Sequence, residues 1–259
     1  MKEHWIGSEN HRVRVSEIDA FKQATLPALI NLMQEVAWNN SANLKYSVYD
    51  LMQHGVTWVV YRMQVHIYRY PSQQELLSVR SWPSGMDRLY TYRDYDIKDE
   101  AGEVIVRATS AWLVMDIKKR ELVSVPGFIR EGLDFSQDYE HLELDRTKLK
   151  PVSSSQSNYQ TEVGLFHMDV NGHVNNTYYF QWLLETVRNK LTEGNRVNYI
   201  DIMFKGESKV RDIIKASTEK ISANQYLHQI FNQGTNNELI RAQTKWDSIR
   251  AQTKWDSSE

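Results

Sequence analysis

The sequence predicts an α+β protein made of two similar halves, on three observations. A helix-period segment precedes a run of period-two segments; the same order recurs later in the chain; and the two stretches match at several points when offset by 150 positions. With 259 residues, 41% of them hydrophobic, the chain has material for one large folded unit or two of ordinary size.

In chain order, a short alternating run at His11–Ser16 leads into a helix whose apolar residues Leu26, Leu29, Ile30, Met33 and Ala37 fall at three- and four-residue spacing. Pro27 suits its first turn. A long strand follows, with Val59, Tyr61, Met63, Val65 and Ile67 expected on one face and Pro71 ending it. Further strands are predicted at Leu76–Ser81, Leu89–Lys98 and Val104–Met115, with Asp99-Glu100-Ala101-Gly102 as a hairpin turn. One helix followed by antiparallel strands is an α+β unit.

The second half repeats the plan. A run at Tyr159–Val163 precedes a polar segment at Asp169 and a predicted helix at Tyr178–Leu191 with Phe180, Leu184, Val187 and Leu191 on one stripe. Strands are expected at Tyr199–Lys205, Ile213–Ile221, Tyr226–Asn232 and Leu239–Trp246, with a turn at Gly234–Asn237. The offset aligns Val13 with Val163, Asp19 with Asp169 and Glu35 with Glu185, which reads as an internal duplication. The expected organisation is an N-terminal domain over 1–126, a linker over 127–151 carrying Asp134, Asp138, Glu140, Glu143 and Asp145, and a C-terminal domain over 152–259. Arg241–Ser248 recurs letter for letter at Arg250–Ser257; the first copy continues a strand and the second reads as a terminal duplication outside the fold.

Composition narrows the function. A net charge of −2 gives no global basic excess, so nucleic acid is not expected as a partner, although a local basic patch is compatible with it. The absence of cysteine removes disulfides, Cys-based zinc sites and thiol nucleophiles. The opening Met1–Trp5 lacks the apolar stretch of a signal peptide, and no run approaches the ~18 apolar residues that span a bilayer. A cytoplasmic protein is expected.

The segment Asp169-Val170-Asn171-Gly172-His173-Val174-Asn175-Asn176 delivers an acid, an amide and an imidazole to the mouth of a helix N-terminus, where unpaired N–H groups and the helix dipole stabilise developing negative charge. His173 is able to hold or give a proton at neutral pH, and Asp169 to orient it or a water. A plain alternative is a turn made by Asp169 and Asn171 with Asn175 or Asn176 as helix cap. The first half has Phe21 and Gln23 where Asn171 and His173 stand, so only the second half carries a titratable set. His167, Asp169 and His173 lack the spacing of a metal motif, and no metal or cofactor is expected. Without a G-x-S-x-G elbow, water is the expected nucleophile. Glu207, in Phe204-Lys205-Gly206-Glu207-Ser208, reads locally as a solvated turn carboxylate, and Trp58, Met63, Trp82 and Trp112 read as core.

Together these motifs resemble the acyl-ACP thioesterases of bacteria and plant plastids. The resemblance is carried by Asp169–Asn176, by Trp58-Val59-Val60-x-Arg62-Met63-Gln64-Val65 followed by Arg69-Tyr70-Pro71, and by Ala108-Thr109-Ser110-Ala111-Trp112, and it spans roughly residues 8 to 248. It implies two tandem hotdog domains, each a long helix wrapped by an antiparallel sheet, the first supplying the acyl pocket. It implies hydrolysis of the thioester between a fatty acyl chain and the phosphopantetheine arm of acyl carrier protein, ending elongation in fatty acid biosynthesis. It also implies that Asp169, Asn171, His173 and Glu207 are catalytic, with Ser208 standing where plant members have a cysteine. Acyl carrier protein is acidic, so Lys and Arg are expected near the site mouth. An acyl-CoA thioesterase or a non-catalytic acyl-binding hotdog protein is the alternative. The tandem fold supplies internally the pairing that single hotdogs find in a dimer, and a homodimer is left open.

Overall fold

The computed structural model describes residues 5–133, 142–169 and 172–248. The chain forms two compact units, Met1–Asp145 and Arg146–Glu259. In the first unit the elements are β1 (Gly7–Arg12), a 3-10 turn at Val15–Glu17, α1 (Leu26–Asn43), α2 (Val48–Met52), β2 (Val56–Ile67), β3 (Leu76–Met86), β4 (Thr91–Lys98), β5 (Val104–Asp116), β6 (Glu121–Val123) and α3 (Gly127–Gly132). Neighbouring strands run β1-β3-β4-β5-β2, each pair antiparallel, and β6 adds to the end of β5.

The long helix α1 begins where the Thr25 hydroxyl accepts the Ala28 N–H at 3.2 Å, with Pro27 in the first turn. Its Leu29, Ile30 and Met33 are fully buried against the sheet, as their spacing requires. In β2 the expected single apolar face does not hold. A bulge between Val60 and Arg62 shifts the register, and Tyr61 joins a small cluster with Tyr92, Ala111 and Leu144 while Met63, Val65 and Ile67 stay in the core.

The stretch between the halves is more packed than its acidic composition suggests. Ile129 of α3 is fully buried in a cluster with Trp5, Leu51, Val56, Trp82 and Val114. Farther on, Gln64 of β2 exchanges two hydrogen bonds with the Asp145 backbone, at 2.8 and 2.9 Å, and Asp94 of β4 accepts the Leu142 N–H at 2.9 Å. Buried polar side chains on these strands are thus satisfied by the connecting chain, a partner that strand periodicity does not reveal. Asp134, Asp138 and Glu140 lie outside the described residues, as does Arg250–Ser257.

The second unit comprises β7 (Ser157–Glu162), a 3-10 turn at Leu165–His167, α4 (Asn176–Glu185), α5 (Arg188–Thr192), β8 (Asn195–Phe204), β9 (Ile213–Ser222), β10 (Gln225–Asn232) and β11 (Glu238–Ser248). Its strand order, β8-β11-β10-β9-β7, is that of the first unit element for element. Each unit is therefore a helix laid on an antiparallel sheet, the hotdog arrangement, occurring twice. No helix of the described residues is long and apolar enough to cross a membrane.

The single helix expected over Tyr178–Leu191 is two. Thr186 turns its hydroxyl back onto the Leu183 carbonyl at 2.6 Å and hydrogen-bonds Thr218 of β9, and Val187 leaves the helical region at φ −126°. Thr218 in turn meets His228 Nδ1 at 2.7 Å, and His228 Nε2 meets Thr244 at 2.8 Å. Trp246 Nε1 donates to the Thr244 hydroxyl at 2.7 Å, just as Trp112 donates to Ser110 in the first unit. Burial of the fully enclosed His228 ring pushes its pKa down to about 3.

The folded protein therefore keeps His228 neutral where an unfolded chain protonates it near pH ~6.5. Between those values the unfolded state binds more protons, so stability rises with pH. The melting temperature is expected to fall as pH drops from 7 toward 5, and to fall less steeply in His228→Gln; equal slopes would overturn the assignment.

Candidate active site

The polar segment of the second unit is a loop that closes on itself. Asp169 N–H donates to the His173 carbonyl at 2.7 Å, Gly172 N–H to the Asp169 carbonyl at 3.1 Å, and Asn175 N–H to the His167 carbonyl at 2.9 Å. The Asp169 carboxylate accepts the His173 backbone N–H at 3.1 Å. Gly172 sits at φ 74°, the left-handed conformation this reversal needs. The chain then enters α4, where Asn175 caps the helix by accepting the Thr177 N–H at 3.0 Å. The capping expectation holds for Asn175, and the His173 side chain takes no part in the cap.

It reaches Glu207. His173 Nε2 lies 3.4 Å from Glu207 Oε2, with side-chain exposures of 39% and 35%. Glu207 follows β8 after Gly206, where an added Cβ would come 3.2 Å from Leu239 Cδ2 and press the leucine aside, so glycine suits the close passage to β11. On the far side, the Lys209 N–H donates to Asp212 at 2.8 Å, and the Arg211 N–H donates to the Val163 carbonyl at 2.8 Å, tying this loop to the strand that leads into the 3-10 turn. Asp169 and His173 share one loop, and Glu207 is brought to His173 from a different strand. Asn171 lies outside the described residues.

His167 serves the turn. Its Nδ1 accepts the Gly164 N–H at 3.0 Å and its ring packs on Tyr178 and Trp182. In the first unit Glu17 does the same, accepting the Arg14 N–H at 2.8 Å.

The correspondence extends through the whole loop. Asp19 N–H donates to the Gln23 carbonyl, Lys22 N–H to the Asp19 carbonyl and Thr25 N–H to the Glu17 carbonyl, with Lys22 at φ 61°. Downstream, Ser72, Gln74 and Glu75 make the backbone bonds that Lys209, Arg211 and Asp212 make, with Gln74 and Arg211 both at positive φ. This register puts Tyr70, a buried residue, where Glu207 stands. The first unit thus keeps the loop and has Gln23 and Tyr70 in place of the imidazole and the carboxylate.

Two family models match the chain: the acyl-ACP thioesterase N-terminal domain over residues 6–133 and the C-terminal domain over 150–248. The chain belongs to the acyl-ACP thioesterase family. Its reaction is hydrolysis of the fatty acyl-ACP thioester to free fatty acid and carrier protein. Among relatives, oleoyl-acyl carrier protein thioesterase 2 of Arabidopsis thaliana chloroplasts is 30% identical over 252 residues, covering 91% of this chain and 68% of that protein. A chloroplastic palmitoyl-acyl carrier protein thioesterase of Gossypium hirsutum is 28% identical over 263 residues, covering 92% of this chain and 63% of that one. An acyl-ACP thioesterase structure from Bacteroides thetaiotaomicron shares the fold with a TM-score of 0.85 at 22% identity, covering 95% of this chain and 100% of that one. The 12:0-ACP thioesterase of Umbellularia californica shares it at 0.80 and 22% identity, with 94% and 97% covered.

Next to Glu207 the structure adds a residue that the sequence reading did not single out, Tyr179, and shows what its partner Ser208 does. Tyr179 is buried one position before the apolar stripe assigned to its helix, and Ser208 is buried beside Glu207. The tyrosine hydroxyl donates to the Ser208 hydroxyl at 3.3 Å. The available signal was a tyrosine directly before the core residue Phe180, because a buried phenol needs a partner.

The capping role of Asn175 predicts that Asn175→Ala lowers stability by about 1 kcal/mol, and that Asn175→Asp restores most of it, as read by urea denaturation.

Proposed function

We propose that Glu207, His173, Asp169 and Asn171 carry the thioester hydrolysis. The observation that supports this reading is the 3.4 Å approach of His173 to Glu207 from two separate segments of the chain. In this reading the thioester carbonyl lies at the N-terminus of α4, where backbone N–H groups and Asn171 hold the developing oxyanion. Glu207, oriented by His173, takes a proton from water as the water oxygen bonds to the carbonyl carbon. Collapse of the tetrahedral intermediate breaks the carbon–sulfur bond, and the phosphopantetheine thiolate leaves with little need of a proton. Asp169 holds the loop through the His173 N–H, so its part is to fix the imidazole. Ser208 is buried and bonded to Tyr179, which supports water rather than a side chain as nucleophile.

The first unit lacks the titratable set, and its part in this reading is the acyl pocket and chain-length choice. The four groups lie on one unit of one chain, so a homodimer is not needed to complete them. For the acidic carrier protein, the exposed cations near Glu207 in the sequence are Lys205, Lys209 and Arg211, of which Lys209 and Arg211 have no ion-pair partner among the described residues. Lys205 is engaged already. Burial alone would push the Glu238 carboxyl up, but hydrogen bonds from Arg241, Lys205 and Gln229 outweigh it and bring it down to about 2. Val210, between Lys209 and Arg211, is exposed, as are Leu165 and Phe166 just after Val163, whose carbonyl accepts the Arg211 N–H, and these apolar side chains suit the same docking. The reading places the enzyme in the cytoplasm, where its fluorescent fusion is expected to localise.

Glu207→Gln, His173→Ala and Asp169→Asn are each expected to lower kcat more than ~100-fold on acyl-ACP, the range of acid–base and oxyanion groups. Wild-type turnover in the glutamate or histidine variant would overturn the assignment. A panel of acyl-ACPs and matching acyl-CoAs, assayed with the wild-type enzyme, reads chain length and carrier preference together.

Charge reversal at Lys209 and Arg211 together is expected to raise KM for acyl-ACP about tenfold or more while leaving hydrolysis of the matching acyl-CoA unchanged. An unchanged KM for acyl-ACP would place the docking surface elsewhere.

A further inference from the structure

Tyr179 lies in the first turn of α4 with only 3% of its surface exposed, and its hydroxyl meets Ser208, which is 1% exposed, at 3.3 Å. Its ring is clamped edge-on between Trp182 at 5.3 Å and Phe204, the last residue of β8, at 6.3 Å. The ring has little freedom, so the position of its hydroxyl is set by the helix and the strand end. Burial pushes the phenol up to about 12, with the charge of nearby Glu207 adding to the rise and the Ser208 hydrogen bonds opposing it. It is an O–H donor throughout the working range.

Ser208 is the residue directly after Glu207. Along Gly206–Lys209 exposure alternates: Glu207 and Lys209 face out and Ser208 faces in. Holding the inward side chain therefore sets the aim of the outward one, and the outward one is the carboxylate that meets His173. The other unit supplies an internal control. At the positions of Tyr179 and Ser208 it has Leu29 and Pro71, an apolar pair, next to Tyr70 in place of Glu207. The buried hydroxyl pair occurs only in the half that carries the carboxylate, although both halves keep the backbone bonds of the turn that follows, at Ser72–Glu75 and Lys209–Asp212.

We infer that Tyr179 is a positioning residue for hydrolysis: through its hydrogen bond to Ser208 it fixes the Glu207 carboxylate toward His173. The inference rests on the role given to Glu207 above. Tyr179→Phe removes the donor and keeps the ring, and it is expected to lower kcat on acyl-ACP about tenfold with KM within twofold, because small misplacements of a reacting group cost rate rather than binding. Ser208→Ala is expected to do the same, and the double variant no worse than either single one. In a Glu207→Gln background, Tyr179→Phe is expected to have no further effect on the residual rate. Wild-type kcat in a folded Tyr179→Phe, or additive losses with Glu207→Gln, would overturn the inference, since a purely structural role adds its loss to any background. If Glu207→Gln itself turns over like wild type, the reading of the site fails first, and the two failures are told apart.

Discussion

The geometry of the site depends on a loop that satisfies its own backbone. Between His167 and Asn175 the chain leads into a helix, and three N–H donors of the described residues are bonded within the loop: Asp169 to His173, Gly172 to Asp169, Asn175 to His167. A buried or half-buried N–H without a partner costs about 1–3 kcal/mol, so a loop that closes these bonds internally holds its shape without help from the sheet. The Asp169 carboxylate completes it by accepting the His173 N–H. With the backbone settled, the imidazole is free to serve another purpose, and the helix N-terminus is delivered at a fixed distance from it.

The duplicated unit shows which part of this is scaffold. Its loop makes the same bonds with Asp19, Lys22, Gln23 and Thr25, and it uses a lysine at positive φ where the second unit uses Gly172. The loop therefore requires neither glycine nor histidine. What differs between the units is a coherent set: Gln23 against His173, Tyr70 against Glu207, Leu29 against Tyr179 and Pro71 against Ser208. Scaffold and chemistry separate along those positions.

The order of elements was legible in the sequence because helix and strand periods are strong signals in an amphipathic chain. Four readings fell short for physical reasons. Tyr61 parted from Met63 because a bulge breaks period two without changing composition. The helix after Asn175 stopped at Glu185 because Thr186 found a partner in Thr218, a tertiary bond that local pattern does not carry. The segment after Val125 hid its anchors, Ile129 and Leu144, among acidic residues. Glu207 was indistinguishable from a solvated turn residue until the fold brought His173 to it, and family resemblance, not spacing, nominated it.

The His173–Glu207 contact has little stability to offer. Each side chain is more than a third exposed, and a pair in that setting is worth about 0–1 kcal/mol after solvent screening. Bringing the carboxylate there uses a glycine crossing next to Leu239, a bonded turn at Lys209–Asp212 and a buried tyrosine–serine hydrogen bond. That is far more structure than the contact returns as folding energy. The first unit folds with Gln23 and Tyr70 at the equivalent positions, so the fold does not need the pair. Under the proposed role of the pair, the arrangement would matter once an acyl thioester excluded water from it, because the same two groups would then interact in a lower dielectric, where a carboxylate and an imidazole influence each other strongly.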